Sequence, residues 1–256
     1  MKRVAIVGGA GRMGQAMAEG LGALADVQVV ALIDTHKPGD AFGARYERSL
    51  SDVDPSTLDV VVDFSNPEGV VSSANWCATN ARGLVVGATG LDSAQMASVE
   101  AASMRTGVIM ASNYSLGAAL SERFAAMAAQ YFPRVEIIEL HHDKKVDAPS
   151  GTSLTSAHAI VDARRRAGLE PLGEPTQRFT LPGTRGGDAG DGVRIHSVRL
   201  PGLVAHQEII FGGPGEGLTI RHDSFDRASF VQGVALAVRA VSSSARLTIG
   251  IETLLE

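Results

Sequence analysis

Val4 to Gly14 reads VAIVGGAGRMG. Val4, Ala5, Ile6 and Val7 make a short apolar run of the kind that forms a buried strand. A glycine run follows: Gly8, Gly11 and Gly14 fit G-x-x-G-x-x-G, and Gly9, Gly11 and Gly14 fit G-x-G-x-x-G. Met13 to Leu24 then carries apolar residues at helical spacing. A glycine turn set between a strand and a helix is the context that gives such a motif its meaning. Glycine allows the tight turn, lets backbone approach a pyrophosphate, and lets the helix pack closely on the strand. The helix start adds unpaired N–H groups and the positive end of its dipole. Gly8, Gly9, Ala10, Gly11, Arg12 and Met13 therefore read as a dinucleotide cradle, with the Arg12 side chain adding positive charge.

A second strand, Val27 to Ile33, ends at Asp34. An acid about twenty residues past the glycine loop suits the ribose hydroxyls and disfavours a 2′-phosphate. Asp34 leans the reading towards NADH over NADPH, and His36 and Lys37 partly offset that lean. Further β-branched runs lie at Asp59 to Phe64 (DVVVDF), Leu84 to Val86 and Val108 to Met110, with helical stretches Glu68 to Thr79 and Ser93 to Ser103 between them. Continuous apolar strands alternating with helices predict a parallel sheet covered on both faces, which is an N-terminal doubly wound Rossmann sheet.

The pattern then changes. Leu116 to Tyr131 predicts a long amphipathic helix, Val135 to Leu140 a strand leading into His141 and His142, and Thr152 to Ala167 another helix. Pro171 to Gly192 is a long Gly/Pro-rich loop, a length usually reserved for a functional or inter-subunit element. Strands are expected at Val193 to Leu200, Ala205 to Phe211 and Leu218 to His222, the last two joined as a hairpin through GGPGEG. The second domain is thus predicted to be α+β with a mostly antiparallel sheet. A final helix, Phe230 to Ser242, is apolar enough to pack back on the first domain.

The whole-chain numbers narrow the function. The chain has 256 residues and a formal net charge of -5, so it is not built to seek nucleic acid or an anionic membrane. No run is long and apolar enough to span a bilayer. Cys77 is the single cysteine, so no internal disulfide forms, and a reducing, cytoplasmic setting is expected. Cys77 itself reads as a small buried helix residue.

In this acidic chain, Glu139 to Thr152 (ELHHDKKVDAPSGT) gathers His141, His142, Lys144 and Lys145 within five positions. Histidine titrates near neutrality, and a lysine among like charges is a proton donor with a lowered pKa. Gly151 and Thr152 stand at a helix start, where backbone N–H groups can hold a carboxylate. The cluster predicts an anionic substrate and a proton transfer. Adjacent histidines on a strand point to opposite faces, and no third ligand sits nearby, so no metal site is expected.

With these residues in hand, the chain resembles the dihydrodipicolinate reductase family. The resemblance rests on VAIVGGAGRMG, VVDFSNPEG (Val61 to Gly69), VVGATG (Val85 to Gly90), ASNYSLG (Ala111 to Gly117) and ELHHDKKVDAPSGT, in order over essentially the whole chain. It implies NAD(P)H-dependent reduction of a cyclic imine dicarboxylate on the diaminopimelate route to lysine, in a homotetramer built through substrate-domain sheets. It implies domains at 1–115, 116–224 and 225–256, the last returning to the dinucleotide-binding domain. By resemblance, Gly87, Ala88 and Thr89, with Ala111, Ser112, Asn113 and Tyr114, lie along the nicotinamide. His141 matches the catalytic histidine, Lys145 the proton donor, His142 a substrate contact, and Gly151 with Thr152 the substrate carboxylate site. Three positions depart from the family pattern: Ala88 for threonine, Asn66 for arginine or histidine, and Tyr114 for phenylalanine. Cofactor in one domain and acid in the other imply closure, with hinges near Ser115 to Gly117 and Asp223 to Phe225. Another two-domain dehydrogenase would share the glycine loop and Asp34 but has no need of the HHDKK…SGT stretch. A non-catalytic dinucleotide sensor would not need His141 and Lys145.

Overall fold

The computed structural model describes residues 1–242 and 244–255. In chain order the elements are β1 (Lys2–Val7), α1 (Arg12–Gly22), β2 (Val27–Ile33), β3 (Arg45–Glu47), β4 (Val60–Asp63), α2 (Pro67–Asn80), β5 (Gly83–Val86), α3 (Ser93–Ser103) and β6 (Gly107–Met110). There follow α4 (Leu116–Ala128), β7 (Arg134–His141), α5 (Gly151–Arg166), β8 (Gly187–Asp188), β9 (Arg194–Arg199), β10 (Ala205–Gly213), β11 (Glu216–Ser224), α6 (Val231–Ala240) and β12 (Arg246–Ile249). The chain forms two compact units, residues 1–116 with 227–256, and residues 117–226.

The first unit holds a seven-stranded sheet in the order β12-β6-β5-β4-β1-β2-β3. Every pairing in it is parallel. β4 and β5 are buried along their whole length, which is why they read as unbroken apolar runs. One core layer joins Ala5, Val61, Val86 and Val108 to Val70, Ala74 and Cys77 of α2. Cys77 is buried, and burial drives its thiol pKa up, the opposite of a reactive cysteine. Helix α6 packs within this unit against α1 and β5, and a Cβ at Gly20 would overlap the Val231 side chain. In this unit the sequence reading omitted two strands, β3 and β12. Both are short sheet edges; RYE has no β-branched residue, and RLTI has Thr248 and Ile249. The predicted helix from Phe230 to Ser242 begins in a 3₁₀ turn and is α-helical only over α6.

The second unit holds a five-stranded sheet in the order β11-β10-β7-β9-β8. Only β7 and β9 run parallel; the other three pairings are antiparallel. The expected hairpin is β10–β11, closed at Gly213↔Glu216. Helices α4 and α5 bury one sheet face through Ala125, Ala128, Ala157, Ile160 and Val161, packed on Val135, Ile137, Ile195, Ile209 and Phe211. α4 stops at Ala128, short of the expected Tyr131. Among the described residues, no helix is long and apolar enough to cross a membrane.

Candidate active site

In the first unit, β1 delivers the chain into the glycine loop. The N–H groups of Gly8 and Gly9 both reach the Ile33 carbonyl, at 2.9 and 3.1 Å, and tie the loop to the end of β2. Gly8 has φ +80°, a left-handed conformation that side chains resist. A Cβ at Gly14 would overlap the Gly8 carbonyl oxygen, so only glycine lets α1 start this close to the loop. Gly11 caps α1 in extended conformation with no side-chain hydrogen bond, and the first turn carries no acid. That leaves the helix start polarised for an anion. Asp34 is half-buried beside the loop: its Oδ2 accepts the Ala10 N–H at 3.0 Å and its Oδ1 the His36 N–H at 3.0 Å. Arg12, His36 and Lys37 are exposed. Loop, helix start and acid are groups that could hold a nicotinamide dinucleotide, the loop and helix start through its phosphates and the acid through a ribose.

A cavity of about 430 Å³ opens in the same unit. Six residues that the sequence analysis assigns to the cofactor line it: Met13, Gly87, Ala88, Thr89, Ser112 and Tyr114. Phe64, Ser65, Asn66 and Phe230 line it too; the first three lie in the VVDFSNPEG motif, which gave no cofactor role to Phe64 or Ser65, and Phe230 belongs to no motif. Tyr114 is a wall rather than a reaching side chain. It is 1% exposed, and its hydroxyl donates to the Val86 carbonyl at 2.7 Å. Ala111 is buried beside it, its N–H also bonded to Val86 O at 3.1 Å. Asn66 has a structural task, since its side chain accepts the Gly69 N–H at 2.9 Å and caps α2.

The second unit carries the basic stretch. His141 is the last residue of β7, and its Nδ1 pairs with a carboxylate oxygen of Glu139, two residues back on the same face. Glu139 is fully buried, and Arg199 of β9 forks onto it with Nη1–Oε2 2.9 Å and Nη2–Oε1 2.7 Å. Burial works to raise the Glu139 pKa, but hydrogen bonds from Arg199, Ser197 and His141 outweigh it and hold the pKa below the ordinary value. His141 shifts down, chiefly because burial disfavours its cation, with Glu139 opposing.

Two expectations change here. His142 does not face away across the strand; it lies past the end of β7, exposed, in a turn closed by Lys145 N–H to His142 O at 3.1 Å. Lys145 does not stand only among like charges: its Nζ is 2.8 and 2.7 Å from the two carboxylate oxygens of Asp147. Glu139, Asp147 and Arg199 are the members that the sequence reading missed.

Gly151 and Thr152 are the first two residues of α5, capped by Ser150, whose hydroxyl accepts the Ser153 N–H at 3.2 Å. The cap is pinned to β10: Ser153 donates to Gln207 Oε1 at 2.6 Å and Gln207 Nε2 donates to Ser156 at 2.9 Å. The first turn has no acid and Gly151 is exposed, a setting that suits a carboxylate. Among the described residues, no group of three or more His, Cys, Asp or Glu is placed to hold a metal.

The family described as "Dihydrodipicolinate reductase, N-terminus" matches residues 2–114, and that described as "Dihydrodipicolinate reductase, C-terminus" matches residues 117–255. A 4-hydroxy-tetrahydrodipicolinate reductase of Nocardia farcinica is 45% identical over 99% of this chain and 98% of its own length. One of Mycolicibacterium vanbaalenii is also 45% identical, over 99% of both chains. Among solved structures, a dipicolinate-bound dihydrodipicolinate reductase from Paenisporosarcina sp. TG-14 matches with TM-score 0.88 and 38% identity over 100% of both chains.

Proposed function

The chain belongs to the dihydrodipicolinate reductase family, and from that premise we propose how its residues carry the reaction. It is an NAD(P)H-dependent oxidoreductase that reduces 4-hydroxy-tetrahydrodipicolinate to tetrahydrodipicolinate in the diaminopimelate route to lysine. The net reaction adds a hydride and a proton and releases water. When bound, a reduced nicotinamide supplies the hydride.

The observation that carries the site assignment is the second unit's grouping of His141, Lys145 and the α5 start within one strand-to-helix connection. Gly151 and Thr152 hold one substrate carboxylate at the helix start, and His142 and Lys144 receive the other. Fixing both ends orients the ring, a large part of any two-reactant rate gain. As the hydride arrives, negative charge moves onto the ring, and Lys145 supplies the proton with His141 alongside. For that, Lys145 must release Asp147, and an incoming carboxylate is the natural competitor for the ammonium group.

In the first unit, Gly8, Gly9, Ala10, Gly11, Arg12 and Met13 bind the pyrophosphate, and Asp34 binds the ribose and favours NADH. Gly87 to Thr89 and Ala111 to Tyr114 form the nicotinamide side. The reading includes a cytoplasmic homotetramer joined through second-unit sheets, supported by family membership and by the single cysteine. It also includes closure hinged near 115–117 and 223–225; the chain crosses between units at Leu116/Gly117 and Asp226/Arg227.

The test is oxidation of NADH and of NADPH with substrate generated in place from pyruvate and aspartate semialdehyde by a coupling synthase. Loss of reduced nicotinamide that needs both proteins is expected, faster with NADH. A folded protein that binds NADH but oxidises neither cofactor would sink the reading.

A further inference from the structure

Strand register brings three groups together that lie far apart in sequence. β7 and β9 run parallel with Glu139 opposite Ser197 and His141 opposite Arg199. Residues i and i+2 share a face, so Glu139, His141, Ser197 and Arg199 all project from one side of this strand pair. Glu139 is completely buried there. A buried carboxylate is tolerated only when paired and hydrogen-bonded, and this one is met by the Arg199 fork and the His141 ring. Arg199 does more than neutralise it. Its Nη2 also donates to the Asp147 carbonyl at 2.7 Å, which fixes the loop carrying Lys145. One guanidinium thus holds the support of the histidine and the loop of the lysine.

We propose that Glu139 and Arg199 are positioning residues of the reaction: Glu139 fixes His141 as the Nδ1–H tautomer, and Arg199 locks Glu139 and the Lys145 loop in register with it.

The chemistry allows little else. An ionised carboxylate only accepts hydrogen bonds, so the imidazole nitrogen facing it must carry a proton. The other nitrogen, Nε2, is then the working end, an acceptor in the neutral ring and a donor in the imidazolium. Without Arg199, Glu139 would be a buried unpaired charge and would take up a proton itself, ending its hold on the tautomer. The charged groups around the ring are Glu139 on its own strand, Arg199 on β9 and Lys145 on the following loop; its partner on β10 is the neutral Ala205. Burial and the two cations lower the ring's proton affinity, and Glu139 alone raises it. Replacing Glu139 by an uncharged isostere must therefore move His141 in a known direction.

The inference rests on the reading that His141 and Lys145 handle protons, so its test has an arm that needs no turnover. Nitrogen-15 spectra of the wild-type protein without substrate read the His141 tautomer directly. Nδ1 protonated and Nε2 bare is expected; the reverse would overturn the proposal even in a fully active enzyme. In Glu139→Gln the amide oxygen faces Arg199 and the NH2 faces Nδ1, so the ring is expected to flip to Nε2–H. kcat is expected to fall by about 10- to 100-fold with little change in KM, and the limb of the kcat–pH profile on which His141 titrates, the acid one for a ring that works neutral, to move to lower pH. Arg199→Lys keeps the charge but loses the fork, and is expected to lower kcat with a smaller shift of that limb. A Glu139→Gln protein that folds with unchanged tautomer and pH profile would reduce Glu139 to a packing role. A wild-type protein with the expected tautomer but no reductase activity would leave this geometry intact and overturn the functional reading instead.

Discussion

Lys145 and Asp147 form a two-point ion pair, Nζ to Oδ1 2.8 Å and Nζ to Oδ2 2.7 Å. The lysine side chain is 21% exposed and the aspartate 58%, so the pair opens on its aspartate side. An anionic ligand reaching Lys145 must displace Asp147 or share the ammonium group with it.

Lys145→Ala is expected to lower kcat by about 10²- to 10⁴-fold, the usual span for a general acid, with a smaller rise in KM. Asp147→Asn removes the competing charge and is expected to lower KM while leaving kcat within about threefold. Steady-state kinetics of both variants decide this. An unchanged kcat in Lys145→Ala would take the lysine out of the chemistry.

Asp34 can be made neutral with its bond to the glycine loop kept, because an asparagine in its place can still accept the Ala10 N–H that Asp34 accepts at 3.0 Å, at the loss of the His36 N–H bond. The Asp34→Asn substitution is expected to shift the ratio of kcat/KM for NADPH over NADH upward by about tenfold, equivalent to ~1.4 kcal/mol of relieved repulsion against a 2′-phosphate. An unchanged ratio would mean that Asp34 serves the loop and does not read the ribose.

Tyr114 carries a hydroxyl where the family pattern has phenylalanine, and that hydroxyl is buried against the Val86 carbonyl at 2.7 Å. Tyr114→Phe is expected to cost about 1 kcal/mol of stability, the net value of one such bond, and to leave KM for NADH unchanged. Denaturant titration and kinetics test the two halves separately. A large rise in KM would show that the hydroxyl, not the wall, is what matters there.

Acid is expected to loosen the protein in two stages. Burial lowers the pKa of His141 and of His222 below 6.5. As pH falls through that value the unfolded chain takes up these protons first, so stability falls with pH. Glu139 acts in the same direction lower down. Its folded pKa lies below 4.5, so the stability it lends is present above 4.5 and is lost as pH drops through the folded value. The melting temperature should therefore fall between about pH 7.5 and pH 5.5, and His222→Gln should remove part of that fall. A melting temperature flat over this span would contradict the histidine assignment.

The sequence reveals elements whose signal is local. The glycine loop, the inner strands such as DVVVDF and the helix start at Gly151 and Thr152 each carry their own chemistry within a few residues. The edge strand β3 does not, because RYE carries two charges and no β-branched residue; RLTI of β12 does carry Leu247, Thr248 and Ile249, a signal the sequence reading passes over. His141 and Lys145 are legible because one short stretch, HHDKK, holds four basic groups. Arg199 is not, since nothing near it hints at Glu139; only the β7–β9 register joins them. The setting of Lys145 is legible only in part, because Asp147 looks like an ordinary loop residue until its side chain is seen on the ammonium. Asn66 and Tyr114, departures by motif, turn out to satisfy a helix end and a strand carbonyl.

Strand β12 closes one edge of the parallel sheet by pairing Leu247 with Val108 of β6. On the ribosome those two residues emerge far apart in time. The second unit, residues 117–226, is one uninterrupted stretch that is made in full before α6 and β12. Until β12 is made the free edge of β6 offers unpaired N–H and C=O groups, a template for pairing with another nascent chain. A ribosome stalled late in the message would hold such an intermediate, and chaperone demand should peak just before residues 246–249 leave the exit tunnel.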